Sequence, residues 1–175
     1  MANYKRIFLD GYSYFITVVT HQRNPILVEN IELLRESFKA SKCKYNYHID
    51  AVVVLPDHFH VMLTPVVSKE YSDIIKTIKQ HFSKHCDEKY YQHLWQSSSR
   101  DAKGYKPVWQ KRFYEHTIRD EKDYKTRLDY IHFNPVKHQF VNTVSAWHYS
   151  SFEKFVDLGY YERQWGEFDE SIDYE

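Results

Sequence analysis

Two histidines one residue apart, His58 and His60, sit in the segment Pro56-Asp57-His58-Phe59-His60. On an extended strand alternate side chains share a face. Both imidazoles therefore point the same way, with Met62 and Thr64, while Phe59, Val61 and Leu63 make an apolar face suited to a core. Neighbouring imidazoles can grip a divalent metal; the same pair would also suit the half-exposed surface of a strand. A second group lies in Asp129-Tyr130-Ile131-His132-Phe133-Asn134. Residues four apart share a helical face, so Tyr130 and Asn134 project together and leave Leu128 and Ile131 for the sheet. The Asn134 amide oxygen would be a third, harder ligand, with Tyr130 beside the metal where a phosphate could bridge them. A tyrosine in a helix also serves plain packing.

These side chains need a strand and a helix face to face, and the hydrophobic pattern supplies them. Tyr12–Thr20 is rich in β-branched and aromatic residues and reads as a strand, as do Tyr47–Leu55, His58–Thr64 and Phe113–Ile118. Pro56-Asp57 is turn chemistry that pairs the second and third strands as a hairpin. Val28–Lys42 and Tyr71–Cys86 carry apolar residues at helical spacing. Tyr90–Lys106 is polar and reads as a loop or irregular insertion. Asp120 suits an N-cap, with Asp123 three residues on, and a helix follows to about Asn134, where Pro135 argues for an end or a kink. The order is βαββαβ plus an extra helix: an α+β, ferredoxin-like (RRM-like) sandwich with an antiparallel sheet and a C-terminal tyrosine-bearing helix. The expected division is a domain over residues 1–152 and an acidic C-terminal tail over 153–175.

Composition narrows the function classes. The 175 residues hold 24 basic and 24 acidic side chains, which excludes a globally basic nucleic-acid binder. The acids are unevenly spread: Glu162, Glu167, Asp169, Glu170, Asp173 and Glu175 face a single Arg163, and the rest of the chain is net positive. A local phosphate-binding patch therefore remains open. Candidate cations are Lys5 and Arg6 before the first strand, Lys111, Arg112 and Arg119 around the fourth, and Lys76, Lys79 and Lys84 on the second helix. Trp109 and Phe113 could stack bases but suit the core better. Cys43 and Cys86 form no CxxC motif, so no disulfide framework or zinc ribbon is indicated. With no apolar signal region or membrane-length run, a reducing cytoplasmic setting fits best.

The motifs taken in order resemble a known family. YFITVVT near the start, VVVLPDHFHVML in the middle, VWQKRFYEHTIRDEKDYKTRLDYIHFNPVKHQFV and SAWHYSSF are similar to the REP-associated tyrosine transposases, of the HUH single-tyrosine class. The resemblance covers about Tyr4 to Phe152, and its HFH pair fits the pattern of two histidines flanking a hydrophobe. It departs at Gln139, where the family often has Gly after the Lys-His pair, and in the longer insertion Tyr90–Lys106.

The resemblance implies that Tyr130 is the nucleophile and that His58, His60 and Asn134 hold Mg²⁺ or Mn²⁺. It implies transesterification on single-stranded or hairpin DNA through a 5′-phosphotyrosine, with a free 3′-OH, on hairpins of repeated extragenic palindromes. It leaves monomer and homodimer both open. A phenol has a pKa of about 10, so the attack needs help from the metal or from a base such as His132, Lys137 or His138. Asp57 reads as a turn residue, with orientation of a histidine as its other available role. Three competing readings are a DNA-binding relic without catalysis, a hydrolytic metal phosphodiesterase, and a structural protein with incidental histidines.

Overall fold

Strand alternation divides the molecule in two, as a computed structural model describing residues 11–166 makes plain. Four strands, β1 (Tyr14–Val19), β2 (Tyr47–Val54), β3 (His58–Pro65) and β4 (Tyr114–Thr117), form one sheet in the order β2-β3-β1-β4, every neighbour antiparallel. This is the expected ferredoxin-like arrangement. On one face Phe59, Val61 and Leu63 of β3 join Tyr14, Ile16 and Val18 of β1 in a core closed by α1 (Ile31–Lys42) and α2 (Tyr71–His85). On the other face Phe15, Ala51, Val53 and Met62 meet Leu128, Ile131, Phe133 and Val136 of α4 (Glu121–Lys137). The histidines belong to this second face.

A β-bulge decides which side of β2 faces α4. Ile49 pairs with Leu63 but Ala51 pairs with Met62, leaving Asp50 as the extra residue. One inserted residue moves everything after it to the opposite face. Tyr47 and Ile49 thus pack on the first core, whereas Ala51 and Val53 pack on the second. The Asp50 carboxylate accepts a 2.7 Å bond from the Thr64 hydroxyl.

Helix α4 begins as expected: the Asp123 N–H donates to the Asp120 side chain at 2.8 Å. Its end differs from the expectation of a stop near Asn134. Pro135 lies inside the helix, which continues to Lys137. Proline removes one backbone bond and costs about 3 kcal/mol in a helix interior. Burial of Val136, 1% exposed, returns about 1.5–3 kcal/mol, and the turn is then capped. The Gln139 N–H bonds the Val136 carbonyl at 2.9 Å and the Phe140 N–H bonds the Pro135 carbonyl at 3.0 Å. This is a Schellman motif with Gln139 at the left-handed position, φ 59°.

The connection after α2 holds a short helix, α3 (Ser98–Asp101), amid irregular backbone, in keeping with the insertion read from the sequence. The chain after α4 returns through α5 (Phe152–Asp157), and Phe155 and Tyr161 add to the second core. Within 153–166 of the expected tail, Phe155, Val156, Tyr161 and Trp165 pack on that core, while the acids from Glu167 on, like Lys5 and Arg6, lie outside the described residues. Among the described residues no helix is long and apolar enough to cross a membrane.

A non-glycine residue in the left-handed region is strained by about 1–2 kcal/mol. Gln139→Gly should stabilise the protein by about 0.5–1 kcal/mol, read as a higher urea midpoint at unchanged slope. A lower midpoint would show that the Gln139 side chain does something the capping geometry does not require.

Candidate active site under the tyrosine helix

Beneath α4 the two histidines are buried, His58 to 4% and His60 to 3% exposure, with ring centroids 4.9 Å apart. They are not the half-exposed surface pair that the sequence also allowed. Each is held by its Nδ1. His58 Nδ1 lies 2.6 Å from an Asp57 carboxylate oxygen, and His60 Nδ1 lies 2.8 Å from the Thr17 hydroxyl. Burial pushes the Asp57 carboxyl up, but the bond and charge of His58 together with Arg23 outweigh it and lower the pKa. An ionised carboxylate only accepts, so His58 Nδ1 is the donor and Nε2 is left to face the site. Asp57 thus does more than make the turn favoured for it from sequence. Thr17 was missed: it is the cross-strand partner of His60, a relation fixed by register and not by local sequence.

Burial, then the charges of His58 and His138, hold the His60 imidazole well below its ordinary pKa, partly offset by the Asn134 amide, which is near enough to act on the ring yet outside hydrogen-bond geometry. A neutral imidazole is the form that ligates metal. His60 Nε2 and both polar atoms of the fully buried Asn134 make no hydrogen bond within the protein. Buried polar groups are nearly always paired, so an orphaned imidazole nitrogen beside an orphaned amide fits a cation site. Among the described residues no three His, Cys, Asp or Glu side chains are placed to hold a metal. A cation here would therefore need the Asn134 amide oxygen as well as the histidines, a mixed N/O set compatible with Mn²⁺.

Tyr130 is half-buried at the edge of this group. Its ring meets His60 edge-on at 5.3 Å and Phe15 at 5.7 Å, and the Lys137 ammonium lies 5.2 Å from its centroid. Phe15 carries several of these side chains at once. His60 stacks on it at 5.5 Å, and the Arg127 guanidinium sits 5.3 Å from its centre. His138, on the cap of α4, approaches His58 to 5.3 Å between centroids.

The structure separates other expected candidates from this centre. His132 faces away, its Nε2 2.9 Å from the Ser151 hydroxyl and its ring among Phe152, Phe155 and Tyr161. Burial lowers its pKa to about 3. It cannot serve Tyr130 as a base, because two residues along a helix turn about 200°. Lys111 and Arg112 are exposed just before β4; Arg119 is exposed but bonded to Asp123 at 3.3 Å. The Lys79 ammonium donates 2.8 Å to the Gln110 carbonyl, and burial followed by the charge of Arg100 lowers its pKa to about 8. Trp109 is buried between Phe59 and Phe82, and Phe113 packs on the same core.

Residues 9–134 match the family model described as Transposase IS200 like. A REP-associated tyrosine transposase of Escherichia coli strain K12 is 35% identical over 94% of this chain and 91% of its own length. A candidate member from Haemophilus influenzae is 36% identical over 95% of this chain and 94% of its own length. A solved REP-associated tyrosine transposase, bound to a REP hairpin, superposes with a TM-score of 0.78 at 33% identity, covering 99% of this chain and 94% of that one. The chain belongs to the REP-associated tyrosine transposases, enzymes within the IS200-like transposase family.

Proposed function

We propose that this protein cuts and rejoins single-stranded DNA by metal-dependent transesterification, with Tyr130 as nucleophile and His58, His60 and Asn134 as metal ligands. The observation that carries the reading is the pair of buried groups without hydrogen bonds, His60 Nε2 and the Asn134 amide, with the half-buried Tyr130 ring set against His60. Hairpin DNA as the substrate class is supported by the relative whose structure holds a REP hairpin, and a single-stranded flank is what the proposed cutting adds to it.

The roles of the chain's residues follow from the geometry. Asp57 and Thr17 fix the two imidazoles through Nδ1, so each would present Nε2. Asn134 would add a hard oxygen from the facing helix. A divalent cation held there would polarise the scissile phosphate and neutralise its charge. Tyr130 Oη attacks phosphorus and forms the Tyr130–phosphate ester as the bond from phosphorus to the 3′ oxygen breaks. The phenol proton is balanced by the proton that the departing 3′ oxygen takes up. The Lys137 ammonium, 5.2 Å from the centre of the Tyr130 ring, would offset charge that develops on the phosphate in the transition state. The ester stores the bond energy, so attack by another 3′-OH reseals a strand with no nucleotide cofactor.

Incubation with labelled hairpin DNA and Mn²⁺ should give a protein–DNA adduct that survives denaturation. Tyr130→Phe and chelation should each abolish it. Cleavage with no adduct would mean that water replaces the tyrosine, and binding with no cleavage would mean a DNA-binding relic. Asp57→Asn should weaken Mn²⁺ binding by about 10- to 100-fold, the usual effect of losing a partner behind a ligating histidine. Calorimetric titration checks this, and an unchanged affinity would return Asp57 to a turn residue.

A further inference from the structure

The site does not stop at Tyr130. The row of the sheet that holds His60 continues through Thr17 to Tyr114: His60 pairs with Thr17 and Thr17 pairs with Tyr114. Directly opposed residues of antiparallel strands share a face. Tyr114 therefore stands on the same face as the histidines, two strands and about 10 Å away at ordinary strand spacing. It lies on an edge strand and is 54% exposed. Among the described residues it is the one large exposed apolar side chain carried by a strand.

Its surroundings suit a nucleotide. Tyr114 meets the edge of Phe15 at 6.3 Å, and Phe15, 2% exposed, is the same ring that supports Tyr130, His60 and Arg127. Arg127 is one turn before Tyr130 on α4, and its Nε makes no hydrogen bond. Its nearest anion is Asp123 at 3.6 Å, a carboxylate already shared with His116 and Arg119. Lys111 and Arg112, both exposed, lead into the strand. An aromatic face beside cations is what an unpaired base with its phosphate requires.

We propose that Tyr114 and Arg127 form a nucleotide subsite for the strand being cut, Tyr114 stacking an unpaired base near the scissile bond and Arg127 contacting an adjoining phosphate. The subsite rests on the reading of Tyr130, His58, His60 and Asn134 as the nicking centre. It gives a role to the cations around β4 and places the entering strand across the sheet edge, over Phe15, towards Tyr130.

Affinity tests this without requiring cleavage. Tyr130→Phe protein is titrated with hairpin oligonucleotides from palindromes of its own genome, each carrying one abasic nucleotide at successive positions of the single-stranded flank. One position should lose about tenfold in affinity, the scale of base–aromatic stacking. That position-specific loss should vanish when Tyr114→Ala is added and persist with Tyr114→Phe. Arg127→Ala should weaken every oligonucleotide, keep the abasic loss, and reduce the slope of log affinity against log salt by about 0.7. An abasic profile the same with and without Tyr114→Ala overturns the stacking role. An unchanged salt slope overturns the phosphate contact. Absence of the covalent adduct in wild type would sink the nicking chemistry alone, since the profile is read by binding.

Discussion

Leaving a buried polar atom without a hydrogen bond costs about 1–3 kcal/mol, and this fold leaves His60 Nε2 and both polar atoms of Asn134 in that state at one place. That cost is tolerated because everything around it is held from outside the site. The sheet carries the histidines on strand β3, whose opposite face is locked into the first core by Phe59, Val61 and Leu63. Helix α4 carries Asn134 and Tyr130 and is anchored by Leu128, Ile131, Phe133 and Val136. The unpaired atoms lie between two rigid elements and cannot relax towards other partners. A cation that satisfied them would recover the desolvation cost, with preorganisation adding to charge.

Phe15 couples this centre to the edge of the sheet at Tyr114. One buried ring meets His60, Tyr130, Tyr114 and Arg127. The proposed metal ligand, the proposed nucleophile, the proposed stacking residue and a cation therefore share a single support on β1. A shift of that ring would move all four together.

What was legible in the sequence was what local period dictates. Alternation around His58-Phe59-His60 predicted both faces of β3, and the Asp120 cap marked the start of α4, because each depends on residues within a few positions. The bulge at Asp50 was not legible, since it depends on how β2 registers against β3. The last turn of α4 is not legible locally, because Pro135 alone reads as an end or a kink, and the burial of Val136 and the Schellman bonds that sustain the helix depend on the folded chain. His132 looked like a base through its nearness in sequence to Tyr130, although helical geometry puts it on the opposite face, where Ser151 and Tyr161 meet it. Thr17 and Tyr114 needed the strand order before they could be connected with His60.

Pulsed electron paramagnetic resonance of protein-bound Mn²⁺ detects imidazole nitrogens through their coupling to the ion, and so reads whether a divalent cation sits on His58, His60 and Asn134. Nitrogen couplings from two histidines are expected in the wild type and from one in His60→Ala, with weaker binding. Bound Mn²⁺ without nitrogen coupling, or with couplings unaltered by His60→Ala, would contradict this ligation and place the metal elsewhere.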